Sequence, residues 1–224
     1  MSDLNKKFSY TLKQRTYRPS NLAEARLIYH KNIRKSFWGK QGAYKRYRDK
    51  LKIHHYYGQR MRCAYCRTKL RTDGYFEDLD HIIPQDLKGN WIFYPKNLVV
   101  TCNPCNRLKN KDATLVNVYK RYFPLRSEDF TIFNPHFDNW KDHFVIEKEI
   151  FLKGIPGTKG PETYRICKLY RHDVIINFVE ERKWSFFTMT RLTQRLKKVS
   201  KGSYEEDSIK KAINHLIERK KHKI

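Results

Sequence analysis

Cys63-Ala-Tyr-Cys66 and Cys102-Asn-Pro-Cys105 enclose the stretch that decides how this chain folds, Tyr75-Phe-Glu-Asp78-Leu-Asp80-His81-Ile-Ile-Pro84-Gln85. Asn97-Leu-Val-Val-Thr leads into the second pair, which continues as Asn106-Arg107-Leu-Lys109-Asn110-Lys111. Each C-x2-C pair can fold as a knuckle with both thiolates aimed at one ion, and two knuckles complete a tetrahedral four-thiolate zinc site. Disulfides are the competing reading. A two-residue separation makes such a bond strained or redox-active, and the first twenty residues lack the apolar stretch of a secretory signal. The fifth cysteine, Cys167, reads as a small buried apolar residue.

Between the knuckles, the pattern predicts a strand over Tyr75 to Ile83 and a loop from Pro84. A short helix over Asn103 to Lys111 would carry Asn106 and Asn110 one turn apart. A strand carboxylate and a helix amide can then converge on one metal ion. A neutral imidazole near pH 7 can accept a proton from water, which makes His81 a candidate general base.

In order and content these residues resemble the ββα-metal core of HNH endonucleases: a D-H-I-x-P strand, an N-L loop asparagine and a C-x-x-C-N-x-x-K helix, covering about Cys63 to Lys111. The resemblance implies an α+β fold with an HNH core on zinc knuckles, between a helical N-terminal region and a helical C-terminal extension. It implies a metal-dependent endonuclease that hydrolyses DNA phosphodiester bonds by a one-metal mechanism, with duplex DNA as substrate. Asp80 and Asn106 would ligate Mg²⁺, or Mn²⁺ or another divalent metal, and Asn97 would hold the histidine-bearing loop by hydrogen bonds. Strand alternation puts Asp80 and His81 on opposite faces, so their convergence rests on the resemblance alone.

Asp78 reads equally as a helper of the metal or as an exposed strand carboxylate, and Asn110 stands where some relatives place a third ligand, commonly histidine. Arg107 and Lys109 are candidate phosphate contacts, with Lys109 preferred. Proteins of this kind often serve prokaryotic anti-phage defence, sometimes beside an ATPase partner, which implies a prokaryotic cytoplasm. Two alternatives stay open: a non-catalytic zinc-stabilised nucleic-acid adaptor, and an HNH nuclease acting on RNA.

Composition points the same way. The chain has 224 residues, 39% hydrophobic, and a formal charge of +25. A surface that basic attracts polyanions and holds them by counterion release. The charge is +17 over residues 1–111, zero over 112–180 and +8 over 181–224. A solubilising surface or basic tail is the bland alternative. No window approaches the roughly 18 to 20 apolar residues of a membrane span.

The flanks read as helical. Asn21 and Glu24 suggest a capping box before a helix from Leu22 to Phe37, with Leu22, Ala25, Ile28 and Ile33 inward. Beyond Gly42, Tyr44, Tyr47 and Leu51 mark a second helix whose Lys45, Arg46 and Arg48 would face nucleic acid. His54 and His55 are weaker candidates for DNA contact. Downstream, the Asn134-Pro-His-Phe-Asp138-Asn-Trp140-Lys-Asp-His143-Phe segment resembles one that follows the nuclease core in some HNH proteins. There it precedes a hairpin, here Phe144 to Leu152, and helices, here Glu162 to Leu169 and Arg171 to Lys183. Ser203 and Glu206 cap a last amphipathic run through Ile209, Ile213, Leu216 and Ile217. The expected segments are 1–58, a basic helical region; 59–122, the nuclease core; and 123–224, the extension.

Overall fold

The computed structural model describes residues 3–13, 17–29, 33–70, 77–110, 112, 114–181 and 186–221. The N-terminal third contributes α1 (Asp3–Phe8), α2 (Leu22–Tyr29) and α3 (Ala43–Gly58). The centre contributes β1 (Glu77–His81), β2 (Leu98–Cys102) and α4 (Asn103–Lys109). Then follow β3 (Phe144–Glu147), β4 (Phe151–Gly154), α5 (Gly160–Ile166), α6 (His172–Glu181), α7 (Phe186–Leu196) and α8 (Tyr204–Lys221).

The central ββα unit has β1 antiparallel to β2, with Asp80 opposite Val99 and His81 opposite Leu98. β2 is buried along its whole length. Cys102 ends it and α4 starts at once, with Pro104 in the first turn, where the missing N–H costs nothing. α4 stops at Lys109, two residues short of the expected end, and Asn110 takes the left-handed φ of 43°. The expected strand residues Tyr75 and Phe76 lie outside the described residues.

The first expected helix is shorter than its pattern suggested. α2 ends at Tyr29, and Lys35–Phe37 form a separate 3-10 turn. Ile28 and Ile33 are buried as expected, but Leu22 is 67% exposed. Asn21 Oδ1 accepts the Glu24 N–H, as a cap requires, whereas the Glu24 carboxylate reaches back to the N–H of Ser20. α3 buries Tyr47 and Leu51 and leaves Lys45 and Arg46 exposed.

All three expected segments share one core. Phe8, Tyr10 and Leu12 pack with the knuckle residues Cys63 to Cys66, with Phe133, Trp140 and Phe144, and with Val174 and Phe178 of α6. The N-terminal strap is also hydrogen-bonded there. Tyr10 OH donates to Ala64 O at 2.7 Å, Leu12 N to Pro135 O at 2.7 Å, Trp140 N to Tyr10 O at 3.0 Å and Ile146 N to Asn5 Oδ1 at 3.0 Å. A second cluster joins α6, α7 and α8 through Ile175, Ile176, Val179, Leu192, Ile209 and Leu216. A third seats α3 on Phe93 and Leu98.

The extension has a hairpin, β3 with β4, and helices near the expected places, but α5 ends at Ile166 rather than Leu169, and Arg182 and Lys183 of the next expected helix lie outside the described residues. Glycine is needed where β4 meets α5: a Cβ on Gly160 would lie 1.9 Å from the His143 carbonyl oxygen. α8 starts on its expected cap, with Ser203 Oγ accepting the Glu206 N–H at 3.1 Å. Ile209 and Leu216 point inward and Ile217 is exposed. Among the described residues, no helix is long and apolar enough to cross a membrane.

Candidate active site and metal centre

The first knuckle turns at Arg67, whose φ of 62° lets its N–H return to Cys63 O. Ala64 N donates to Val100 O, which fixes this knuckle against β2, and the second pair lies on the β2–α4 junction. All four sulfurs are buried and lie within 4.8 Å of one another, with Cys66 and Cys102 Sγ 3.6 Å apart. A tetrahedral zinc with Zn–S near 2.3 Å needs sulfurs roughly 3.8 Å apart, whereas a disulfide needs about 2.05 Å. The four cysteines are thus positioned to form a metal site, consistent with zinc. Burial pushes the Cys63 and Cys105 thiols well above their ordinary range, a cost that a bound cation removes. Arg171 Nη2 lies 3.5 Å from Cys105 Sγ and brings a buried positive charge to the cluster.

Beside this centre a cleft of about 590 Å³ opens between β1, α3, α4 and the loop after His81. Asp80, His81, Asn106, Arg107, Lys109 and Arg48 line it, together with Asp78 and Asn110. Asp80 and His81, successive residues at the end of β1, thus both reach the lining of this one cleft.

Asp80 is buried. Its Oδ1 pairs with Lys109 Nζ at 3.2 Å and its Oδ2 accepts from Tyr65 OH at 3.2 Å. Burial raises its pKa to about 6, opposed by Lys109 and Tyr65 and assisted by the nearby charge of Asp78. A buried carboxylate held that high has electrostatic room for another cation. Asn106 Nδ2 donates to Asp78 Oδ2 at 3.0 Å, and Asn103 Nδ2 donates to the same oxygen at 3.2 Å. That leaves Asn106 Oδ1, the atom able to ligate. Asp78, Asp80 and Asn106 bring carboxylate and amide oxygens, the donor type a hard divalent cation prefers, to the lining of one cleft.

His81 is buried against Trp38, with ring centroids 4.3 Å apart at 64°. Its Nε2 sits 3.0 Å from the Ile92 carbonyl oxygen, so Nε2 carries the proton and Nδ1 the lone pair. Burial lowers its pKa to about 4, against the pull of the Ile92 carbonyl, with Lys109 adding to the fall. The ring is neutral at pH 7.

Asn97 does not line the cleft. It is fully buried, with Oδ1 accepting from Ile83 N at 2.8 Å and Nδ2 donating to Ile83 O at 3.3 Å and Trp91 O at 3.1 Å. It thereby fixes the loop that presents Ile92 O to His81.

The two α4 cations are placed differently. Lys109 is 1% exposed and donates to His81 O at 2.8 Å while pairing with Asp80, so its ammonium is held inside the site and faces no solvent phosphate. Arg107 is exposed on the cleft. On α3, Arg48 lines the cleft, but Lys45 pairs with Asp49 at 2.6 Å and neither Lys45 nor Arg46 is part of the lining. His55 is fully buried beside His136, with ring centroids 5.2 Å apart, and is no surface contact for DNA.

Three contributors were missed in the sequence: Trp38, the Ile92 carbonyl and Tyr65. Only Tyr65 had a hint, its place inside the first knuckle. Trp140, buried in the downstream segment, donates Nε1 to Tyr65 O at 3.3 Å and so supports the residue that bonds to Asp80.

Residues 63–112 match the family model for HNH endonucleases. Neither a curated protein nor a solved structure matches the chain. The matched segment holds both cysteine pairs, β1, β2 and α4, and it supports a nuclease-type function.

Proposed function

We propose that the HNH domain at residues 63–112 makes this protein a divalent-metal-dependent endonuclease that hydrolyses DNA phosphodiester bonds, with a structural zinc on Cys63, Cys66, Cys102 and Cys105. The observation that carries the reading is the meeting of Asp80, His81 and Asn106 in one cleft with an unprotonated imidazole nitrogen. A zinc-stabilised adaptor would have no need for those three to converge.

In this mechanism His81 Nδ1 accepts a proton from the attacking water while Ile92 O holds the ring by its Nε2–H. The water oxygen bonds to phosphorus as the bond to the 3′ oxygen breaks; that oxygen departs as an alkoxide and takes a proton from solvent water, His81 later returning its proton to solvent, which gives 5′-phosphate and 3′-hydroxyl ends. Asp80 and Asn106 Oδ1 would hold a Mg²⁺ or Mn²⁺ ion, with Asp78 orienting the asparagine amide. Such an ion, when bound, neutralises phosphate charge and stabilises the departing oxygen. Arg107 and Arg48 line the same cleft and suit the flanking phosphates. Duplex DNA, a prokaryotic anti-phage role and an ATPase partner extend the proposal from the family resemblance alone.

The test is incubation of metal-reconstituted protein with supercoiled plasmid, single-stranded DNA and RNA, with chelator controls. His81→Ala should keep its fold and zinc while cleavage falls by roughly 10² to 10⁴. Asn106→Ala should regain rate with added Mg²⁺ or Mn²⁺, and His81→Ala should not. A parent protein that cuts nothing with any divalent metal would overturn the enzyme reading.

A further inference from the structure

The segment from Val116 to Leu125 follows the residues that match the family model, and the proposed catalytic site makes no use of it. Tyr119 and Tyr122 are 89% and 76% exposed, the two most exposed large apolar side chains among the described residues, and Val116 and Leu125 are exposed beside them. The backbone beneath them is fixed. Tyr119 N donates to Asn117 Oδ1 at 2.9 Å, and Lys88 Nζ donates to Lys120 O at 3.0 Å. Phe123 stacks on Tyr94 at 4.2 Å and meets Trp91 edge-on at 5.6 Å. The two tyrosine rings therefore stand out from an anchored support.

Charge selects what they could meet. Arg121 is exposed between them, 5.8 Å from the Tyr122 ring centre, and has no acidic partner among the described residues. Its neighbours Lys120 and Arg126 are paired, Lys120 with Asp129 at 2.5 Å and Arg126 with Glu128 at 3.8 Å, so Arg121 is the cation of this surface that an incoming phosphate can neutralise. Exposed rings alternating with cations suit a chain that offers flat π-faces on a phosphate backbone. A protein partner's apolar face would gain little from guanidinium groups placed among the contacts. The support also connects to the cleft: Trp91, which holds Phe123, neighbours the Ile92 carbonyl that bonds to His81.

We propose that Tyr119 and Tyr122, with Arg121 between them, form a stacking platform for unpaired bases of a nucleic-acid strand beside the cleft. The proposal rests on the nucleic-acid reading above. It adds that the protein engages a strand whose bases are unstacked, as in a single strand, a gap or a frayed end. Base–aromatic stacking of this kind changes affinity by about 5- to 150-fold per base.

Fluorescence anisotropy tests it in magnesium-free buffer with three labelled probes of equal length: a mixed-sequence single strand, the same backbone made abasic, and the duplex. The full-length parent should bind the base-bearing single strand at least about 10-fold more tightly than the abasic one. Tyr119→Ala/Tyr122→Ala should erase that preference while leaving abasic binding and its salt dependence unchanged. Tyr119→Phe/Tyr122→Phe should retain it. Equal affinity of the parent for base-bearing and abasic strands overturns the platform, as does equal loss on both in the alanine variant. So does unchanged binding in a variant whose sedimentation shows that a dimer has dissociated. Plasmid cleavage by the parent reports separately: a parent that prefers bases but never cuts retains the platform and defeats the nuclease reading.

Discussion

Asn97→Ala isolates the loop that positions His81 without touching a proposed ligand. Truncation removes one acceptor and one amide donor group, leaving Ile83 N–H, Ile83 C=O and Trp91 C=O without their partner. A buried polar group stripped of its partner costs about 1–3 kcal/mol. The contact with Ile83 N–H is short and the two donated bonds are longer, so the sum should fall near 3–5 kcal/mol. In a chain of this size each kcal/mol shifts Tm by roughly 2–4 °C, giving a drop of about 6–20 °C. The four cysteines are unaffected, so bound zinc should not change. Freed from Asn97, Trp91 should shift Ile92 O, and a displacement near 1 Å at the base costs on the order of 10²-fold in rate. Differential scanning fluorimetry, metal analysis and plasmid cleavage together test this. A variant that melts within about 2 °C of the parent, or one that melts low but cleaves at the parental rate, would refute the loop argument.

Purified protein should contain about one tightly held zinc per chain, and Cys102→Ser should unfold the knuckles; a folded, zinc-free protein would defeat that assignment. Lys109→Met should cost about 3–5 kcal/mol in chemical denaturation, because Asp80 loses its buried partner. Arg107→Ala should instead weaken nucleic-acid binding with little change in stability, and the opposite pattern would restore Lys109 as the surface contact. Burial lowers His136 to a pKa of about 4, with its bond to Leu98 O opposing the fall. Protonation therefore favours the unfolded chain, and stability present above about pH 6.5 should be lost towards pH 4, by up to about 3 kcal/mol for this residue. His136→Gln can still donate to Leu98 O and should flatten that loss; an unchanged pH slope would show that His136 is not its source.

The knuckles and the β1–β2–α4 order were legible because short spacings fix them: two residues between thiols, and an immediate strand-to-helix turn at Cys102. That Asp80, His81 and Asn106 line one cleft was suggested by the motif and not by strand alternation, which sets Asp80 and His81 on opposite faces. The inward turn of Lys109 was not readable, since a lysine on a short basic helix normally faces water and only the buried Asp80 draws it in. α7 also escaped notice. Its threonines weaken helix propensity, and it is held by tertiary contacts, with Leu192 buried and Arg195 paired with Glu205 at 2.7 Å. The first helix was overextended because Ile33 continues the apolar spacing of α2 while belonging to the loop that packs on α3. Trp38 and Ile92 O act on His81 through folding alone, one as a ring and the other as a backbone atom, and neither choice leaves a pattern in sequence.

The N-terminal strap sets a schedule for assembly. Asn5, Tyr10 and Leu12 are made well ahead of their partners Pro135, Trp140 and Ile146, which come some 130 residues later. At about 5–20 residues per second, that gap is roughly 6 to 26 s of translation. During it Tyr10 can reach Ala64 of the first knuckle, but Trp140 is not yet there to hold Tyr65 against Asp80. Arg171, the buried cation at Cys105, is made later still. A nascent chain thus exposes its basic N-terminal third well before Tyr65 and Asp80 are braced, and the surroundings of the four cysteines are complete only once Arg171, just ahead of α6, has been made.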